Sequence, residues 1–412
     1  MKNKLFQLSI LIPFLSFSQF EIADAASVGF SQKRLNRITE ISQNYIDKYN
    51  IPGVVTIISR KGKIVYYEAF GNKTPKRKRK LKKDDIFRIY SMSKPIAGVA
   101  IMQLYEKGKF QLSDPISKFL PEMKNLKVMN ELGRTEDLKS EIKMHHLLTH
   151  TAGFSYGFSN NSVDKLYSKL NLFMSKDLNE FASKVAKLPL RSEPGKQFIY
   201  SVAVDLTGLI IERISGKSLD EYYNENIFTP LGMEDTYFKV PKNKRDRFLK
   251  RYILDGETEV IKEYPAEKNM AMSDYINNSM LSAGGGLVST ALDYFKFAEC
   301  LRNGGALNDV RILSPKTIKF MTANHLESIL DIPSASKSFG FGIGLGIVTN
   351  SIKNEIVGSD GEYYWQGPSS MFWVDPVEEI VVVSMFNIHR PPFNKRNDIK
   401  IATYQALNES YQ

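Results

Sequence analysis

Ile86-Phe87-Arg88-Ile89-Tyr90-Ser91-Met92-Ser93-Lys94 runs from a β-prone apolar segment into a helix-forming one, and its reading organises the rest of the chain. At the helical entry Ser91 and Lys94 stand three residues apart, so hydroxyl and amine share one face. A serine hydroxyl attacks poorly at neutral pH unless a nearby base takes its proton, and a desolvated lysine can do so. Spacing alone does not select this pair, because it recurs at Ser140/Lys143, Ser162/Lys165 and Ser334/Lys337. The flanking sequence has to decide.

Outward from that stretch, Ser93 to Lys107 reads as a helix with Ile96, Val99, Ala100 and Leu104 at helical spacing. Upstream, Ser31 to Tyr49 reads as a helix, and Gly53 to Ile58 with Lys63 to Tyr67 as a hairpin turning at Arg60-Lys61-Gly62. Downstream the pattern is helical and turn-rich from about 115 to 300, with one amphipathic helix from Ala203 to Ile214 ending at Gly216. The charge-rich stretch Lys239 to Lys268 reads as a β-poor surface excursion. After a helix at Asp293 to Leu301, strands return at Phe341 to Val348, Ser370 to Val374 and Ile380 to Phe386, and Tyr404 to Leu407 belongs to a last helix. Strands at both ends around a helical middle imply one sheet completed by distant segments.

Composition bounds the function classes. With 412 residues and 42% hydrophobic content, the chain can bury a substantial core. Its N-terminus has charged Lys2 and Lys4, an apolar stretch Leu5 to Phe17, and Ala23-Asp24-Ala25, the order of a secretory signal with cleavage expected between Ala25 and Ala26. An exported, periplasmic or secreted protein follows as an expectation. Cys300 is the single cysteine, which excludes an intramolecular disulfide and a cysteine zinc cluster. The net charge of +11 is concentrated in a basic loop at 73–83, where eight lysines and arginines stand, and the remainder is nearly balanced. That loop reads as a solvated face with weak contact to an anionic envelope surface as the sharper alternative. Without interleaved aromatics it does not read as a nucleic-acid groove.

Five ordered blocks now carry a family resemblance. Phe87 to Lys94, Leu147-Leu148-Thr149-His150-Thr151-Ala152-Gly153, Pro194-Gly195 before Tyr200-Ser201, Pro230-Leu231-Gly232-Met233, and Gly284-Gly285-Gly286-Leu287-Val288-Ser289-Thr290 resemble the β-lactamase-related serine hydrolases. That superfamily includes class C β-lactamases, DD-peptidases and family VIII carboxylesterase-like members. The resemblance implies an α/β plus all-α fold, β-lactamase/transpeptidase-like, with a mainly antiparallel sheet flanked by helices and an inserted helical domain. On this reading 1–25 is a signal peptide, 26–110 with 290–412 form the α/β domain, and 111–289 the helical insertion.

It further implies that Ser91 is the acylated nucleophile, Lys94 its activator and Tyr200 the proton relay. The chain departs from the β-lactamase pattern twice. Tyr200-Ser201-Val202 stands where Tyr-x-Asn is usual, and valine offers no side-chain hydrogen bond. Trp365-Gln366-Gly367 stands where many relatives have Lys-Thr-Gly, so the cation that binds a substrate carboxylate is lost. Both changes resemble the esterase-like branch. The oxyanion hole would use the N–H of Ser91 and one after the third element. In direct register that residue is Pro368, which has no N–H; a one-residue shift places Tyr364-Trp365-Gln366 on the element and gives the role to Gly367. The substrate pocket expected from these matches comprises Tyr156, Val202, Tyr364, Trp365 and Gln366.

Other motifs have plainer readings. Gly153-Phe154-Ser155-Tyr156-Gly157 matches a nucleophile elbow, with His325 and His389 as conceivable bases, but no buried strand leads into it. His145, His146 and His150 lack a carboxylate at ligand spacing, so helix packing or capping is expected and no metal. Gly284 to Gly286 reads as a tight turn feeding a helix capped by Ser289 or Thr290. The expected protein is an exported serine hydrolase acting through an acyl-enzyme on a small-molecule ester or related amide, with no cofactor and no nucleic acid. The alternatives are a catalytically weak protein of this fold that binds cell-wall fragments, and a true β-lactamase or D-alanyl-D-alanine carboxypeptidase.

Overall fold

In the computed structural model, which describes residues 22–76, 79–256, 258, 260–264, 275–330 and 338–411, the frame is one seven-stranded antiparallel sheet. Its strands are β1 (Gly53–Arg60), β2 (Lys63–Gly71), β3 (Phe339–Phe341), β4 (Gly346–Val348), β5 (Tyr363–Gly367), β6 (Ser370–Asp375) and β7 (Ile380–Phe386). They lie in the order β3-β4-β5-β6-β7-β1-β2, so the two ends of the chain meet where Val54 pairs with Phe386 and Arg60 with Ile380. The stretch expected as one strand from Phe341 to Val348 is instead a tight hairpin, β3 and β4, because Gly342 and Gly344 let the backbone turn against neighbouring backbone.

Every residue of β1, β6 and β7 is buried, which is why these strands read as continuous apolar runs. Alternation divides them cleanly. Val54, Ile58, Met371, Trp373, Val382 and Phe386 face the layer built by α1 (Gln32–Tyr49) and α6 (Lys395–Tyr404). Val55, Ile57, Phe372, Val374, Val383 and Met385 face the larger core shared with α2 (Ser93–Glu106) and α5 (Ala291–Arg302). The last helix ends at Tyr404, so of the segment Tyr404 to Leu407 expected to belong to it only the first residue is helical.

α2 is buried at every position from Ser93 to Leu104, as befits a helix apolar on all sides. It lies between the sheet and the helical region, where it meets α4 (Ala203–Ser215), which ends at left-handed Gly216 as the sequence suggested. The middle of the chain is not purely helical. Short strand pairs occur at Lys127–Met129 with Thr135–Asp137 and at Tyr252–Leu254 with Ile261–Glu263. The second pair corrects the reading of 239–268 as a β-poor excursion. Its approach is tied to the strand before Ser91, since Ile86 N–H donates to Arg247 O at 2.9 Å and Leu249 N–H to Ile86 O at 3.0 Å.

Of the basic loop, Arg77 and Lys78 lie outside the described residues. Lys73 is no part of a solvated face: it is buried and its amine meets Asp85 at 2.5 Å. Lys83 pairs with Glu68 at 3.4 Å. The apolar leader also lies outside the described residues, while the expected cleavage point falls at the start of a 3-10 turn, Ala25–Val28, in which Ala25 is buried. No helix among the described residues is long and apolar enough to cross a membrane.

Candidate active site

Ser91 sits in a 3-10 turn, Tyr90–Met92, that runs straight into α2. Several bonds hold this turn in place. Ser93 Oγ donates to Tyr90 O at 2.7 Å and accepts from Leu287 N–H at 3.2 Å, while Tyr294 Oη donates to Met92 O at 2.8 Å. Ile89 N–H donates to Leu287 O at 3.1 Å, so the Gly284–Thr290 block buttresses the serine. Tyr90 itself has φ +47°, a left-handed conformation that costs energy for a bulky residue and turns the chain sharply before Ser91.

Ser91 Oγ lies 2.6 Å from Tyr200 Oη and 3.2 Å from Lys94 Nζ. Lys94 is buried, donates to Gly284 O at 2.6 Å, and stands 4.6 Å from the centre of the Tyr200 ring. Lys94 Nζ donates to Oγ, and the hydroxyl keeps both a lone pair and its own hydrogen for Tyr200 Oη, so either oxygen of that contact can be the donor. The geometry therefore offers a proton path from the serine to the phenol oxygen. Sequence reasoning named all three residues, and the fold brings them together across 109 residues.

Tyr200 owes its position to the His150 block. Left-handed His150 is fully buried, its carbonyl accepts from Ile199 N–H at 2.8 Å, and its Nδ1 accepts from Ser201 N–H at 3.2 Å. Burial first, then the charge of Lys94, hold this imidazole well below its usual pKa, so it is a neutral acceptor. Gly153 follows with φ +89°, where a Cβ would lie 2.1 Å from Ser192 O. The other histidines behave as structure. His145 Nε2 and His325 Nδ1 share a bond of 2.9 Å, and His146 Nδ1 accepts from Lys143 N–H at 3.3 Å. Among the described residues no group of three ligands is placed to hold a metal ion.

Ser155 is not brought to any histidine. Its hydroxyl donates to Asp164 at 2.6 Å and accepts from Gly157 N–H at 3.1 Å, and no strand leads into its turn. Gly284 to Gly286 does form a turn, and Thr290 rather than Ser289 caps α5. Sequence reasoning missed what lies beneath that turn. Asp205, fully buried on α4, accepts from Ser282 Oγ at 2.6 Å and Gly284 N–H at 3.1 Å, so one glycine links it to Lys94. Burial raises the Asp205 carboxyl, opposed by Ser282 and by the Lys94 charge. A Cβ on Gly284 would lie 2.7 Å from Asp205 Oδ2 and 2.9 Å from Tyr156 Oη, which explains a glycine there.

The expected pocket residues divide. Tyr156 lines a cleft of about 250 Å³ together with Ser91, Lys94, Phe158, Phe173 and Tyr200. Trp365 packs behind it, 5.7 Å from the Tyr200 ring. Val202, however, is fully buried at the start of α4 and does not line the cleft. Tyr364 and Gln366 are also misplaced by the expectation. Strand alternation sends Tyr364 to the opposite core, where Arg396 covers its ring at 3.5 Å, and leaves Gln366 exposed.

β5 ends at Gly367, which pairs with Ser370, so Pro368 and Ser369 form the turn. Gly367 stands against the backbone before the serine: a Cβ there would be 2.8 Å from Ile89 O and 3.2 Å from Tyr90 Cβ. Pro368 lines the cleft, and its carbonyl accepts from Arg390 N–H at 3.2 Å.

The chain matches the family model described as Beta-lactamase over residues 38–406. Protein Rv1367c of Mycobacterium tuberculosis is 31% identical over 348 residues, covering 81% of this chain and 85% of that protein. Esterase EstB of Burkholderia gladioli is 27% identical over 283 residues, covering 65% and 69%. Among solved structures, EstCE1, a hydrolase with promiscuous acyltransferase activity, superposes with a TM-score of 0.76 at 25% identity, covering 90% of this chain and 99% of that one.

Proposed function

The chain belongs to the beta-lactamase family, and on that premise we propose that it is an exported serine hydrolase cleaving esters or related amides through an acyl-enzyme. The contact of Ser91 Oγ with Tyr200 Oη at 2.6 Å carries this reading. Tyr200 Oη acts as the proton acceptor, with Lys94 Nζ beside its ring at 4.6 Å. It takes the Ser91 proton as the Oγ–carbon bond forms, then passes that proton to the departing alcohol. Water, deprotonated by the same oxygen, releases the acyl group. The N–H groups of Ser91 and Gly367 hold the oxyanion, a role that Gly367 can fill and Pro368 cannot. Two observations favour esters over β-lactams and D-alanyl peptides: no amide stands at Val202, and EstB and EstCE1 are named as an esterase and a hydrolase.

The test is covalent labelling with a fluorophosphonate probe alongside hydrolysis of 4-nitrophenyl butyrate. Ser91→Ala abolishes labelling and lowers turnover by at least about 10³-fold. Ser155→Ala retains labelling. A labelled Ser91→Ala protein would end this assignment.

A further inference from the structure

One end of the cleft differs sharply from the aromatic floor around Tyr156 and Phe173. There the lining is Arg251 and Tyr264, which flank the paired strands Tyr252–Leu254 and Ile261–Glu263, and His389 and Arg390 from the loop after β7. No aspartate or glutamate among the described residues lines the cleft. Arg251 lies flat on the Tyr264 ring at 3.4 Å and reaches toward Tyr90, the neighbour of Ser91, at 5.7 Å. His389 packs edge-on against both tyrosines, 5.4 Å from Tyr264 and 5.7 Å from Tyr90. Behind the loop, Lys395 Nζ approaches Pro368 O at 3.5 Å.

These contacts define a positively charged wall beside the nucleophile. A guanidinium stacked by its face turns its N–H groups edge-on, the geometry in which carboxylates are bound in a bidentate fashion. Burial, then the charges of Arg251, Arg390 and Lys395, push His389 down to about 3, so the imidazole stays neutral and available to donate one hydrogen bond.

We infer that this end of the cleft is an anion subsite, and that the substrate of Ser91 carries a carboxylate seated against Arg251 and Arg390. The inference rests on the hydrolase reading and narrows it. It also reverses the expectation drawn from Trp365-Gln366-Gly367. The charge missing from the third element is supplied by two other segments, a hairpin in the middle of the chain and a loop near its end.

Two matched pairs of esters test it on the intact protein: 3-acetoxybenzoate against methyl 3-acetoxybenzoate, and mono-4-nitrophenyl suberate against its methyl ester. The first pair puts the anion on the leaving group and the second on the acyl group. In at least one pair kcat/KM favours the anion by about tenfold at low salt, and the preference shrinks at high salt because the wall is open to solvent. Arg251→Gln and Arg390→Gln each lower that ratio severalfold. Lys250→Gln, whose amine points away to Glu263 at 2.9 Å, leaves the ratio where it was. Ratios at or below one in both pairs, or a ratio unmoved in the double arginine variant, overturn the subsite while leaving the hydrolase reading intact. Should no ester be turned over, the hydrolase reading fails by itself. The subsite is then decided by calorimetric titration with 3-acetoxybenzoate and its methyl ester, where equal affinities refute it.

Discussion

Ser91 and Ser155 both stand in turns that spell a nucleophile, one as Ser-x-x-Lys and the other as Gly-x-Ser-x-Gly, yet their surroundings make them opposites. The Ser91 oxygen faces a cleft with a phenol at 2.6 Å and an amine at 3.2 Å. The Ser155 oxygen is buried and committed, giving its proton to Asp164 at 2.6 Å and accepting from Gly157 N–H. Burial raises the Asp164 carboxyl, but the bonds from Ser155 and Ser159 and the charge of Arg191 more than offset this and hold it below the usual range. Asp164 is therefore an anion that fixes the hydroxyl without being able to activate it. A motif names a side chain, while its partners decide its chemistry.

The largest effect expected from this contrast is at Tyr200. Tyr200→Phe removes the proton acceptor and nothing from the Ser155 turn, so kcat on 4-nitrophenyl butyrate falls by about 10²- to 10⁴-fold. Thermal unfolding stays close to wild type. A turnover reduced less than about threefold would mean that Lys94 alone activates Ser91.

Ser155→Ala inverts the outcome: turnover persists, while stability drops by about 1–3 kcal/mol because buried Asp164 loses a donor. Urea denaturation measures it. A stable Ser155→Ala protein with lost turnover would break the comparison outright.

The smallest effect lies in the short helix α3 (Met144–Leu148), which leads through His150 toward the Ser155 turn. His145 is held down to about 4, chiefly by burial and then by His325 and His146, and His146 is held to about 4 by burial and then Lys143. The fold keeps both neutral, whereas the unfolded chain takes up protons near 6.5. Stability is accordingly full above about pH 6.5 and is lost as pH falls toward 4. Melting temperatures across that window decline without a change of fold at neutral pH. A flat profile would show that these histidines are protonated in the folded state.

Much of this was legible in the sequence because it lies in local pattern. β1 and β7 read as strands since both faces are buried, and α4 announced its end with Gly216. Ser91, Lys94 and Tyr200 were legible because two of the five motif blocks contain them. Asp205 was not, since it acts through a backbone glycine that sequence distance conceals. Tyr364 and Gln366 were misassigned because a motif match does not say which face of a strand a residue occupies. Arg251 was missed for a different reason. Its segment looked merely charged, and only the hairpin pairing, together with the bond from His389 N–H to Tyr252 O at 2.7 Å, draws it to the cleft.

The pairing of β1 with β7 also has a temporal side. Val54 cannot find Phe386 until all the chain between them has been made, so the junction of β1 with β7 closes late. Contacts this distant in sequence slow folding, and until they form, β1 presents an apolar edge open to aggregation.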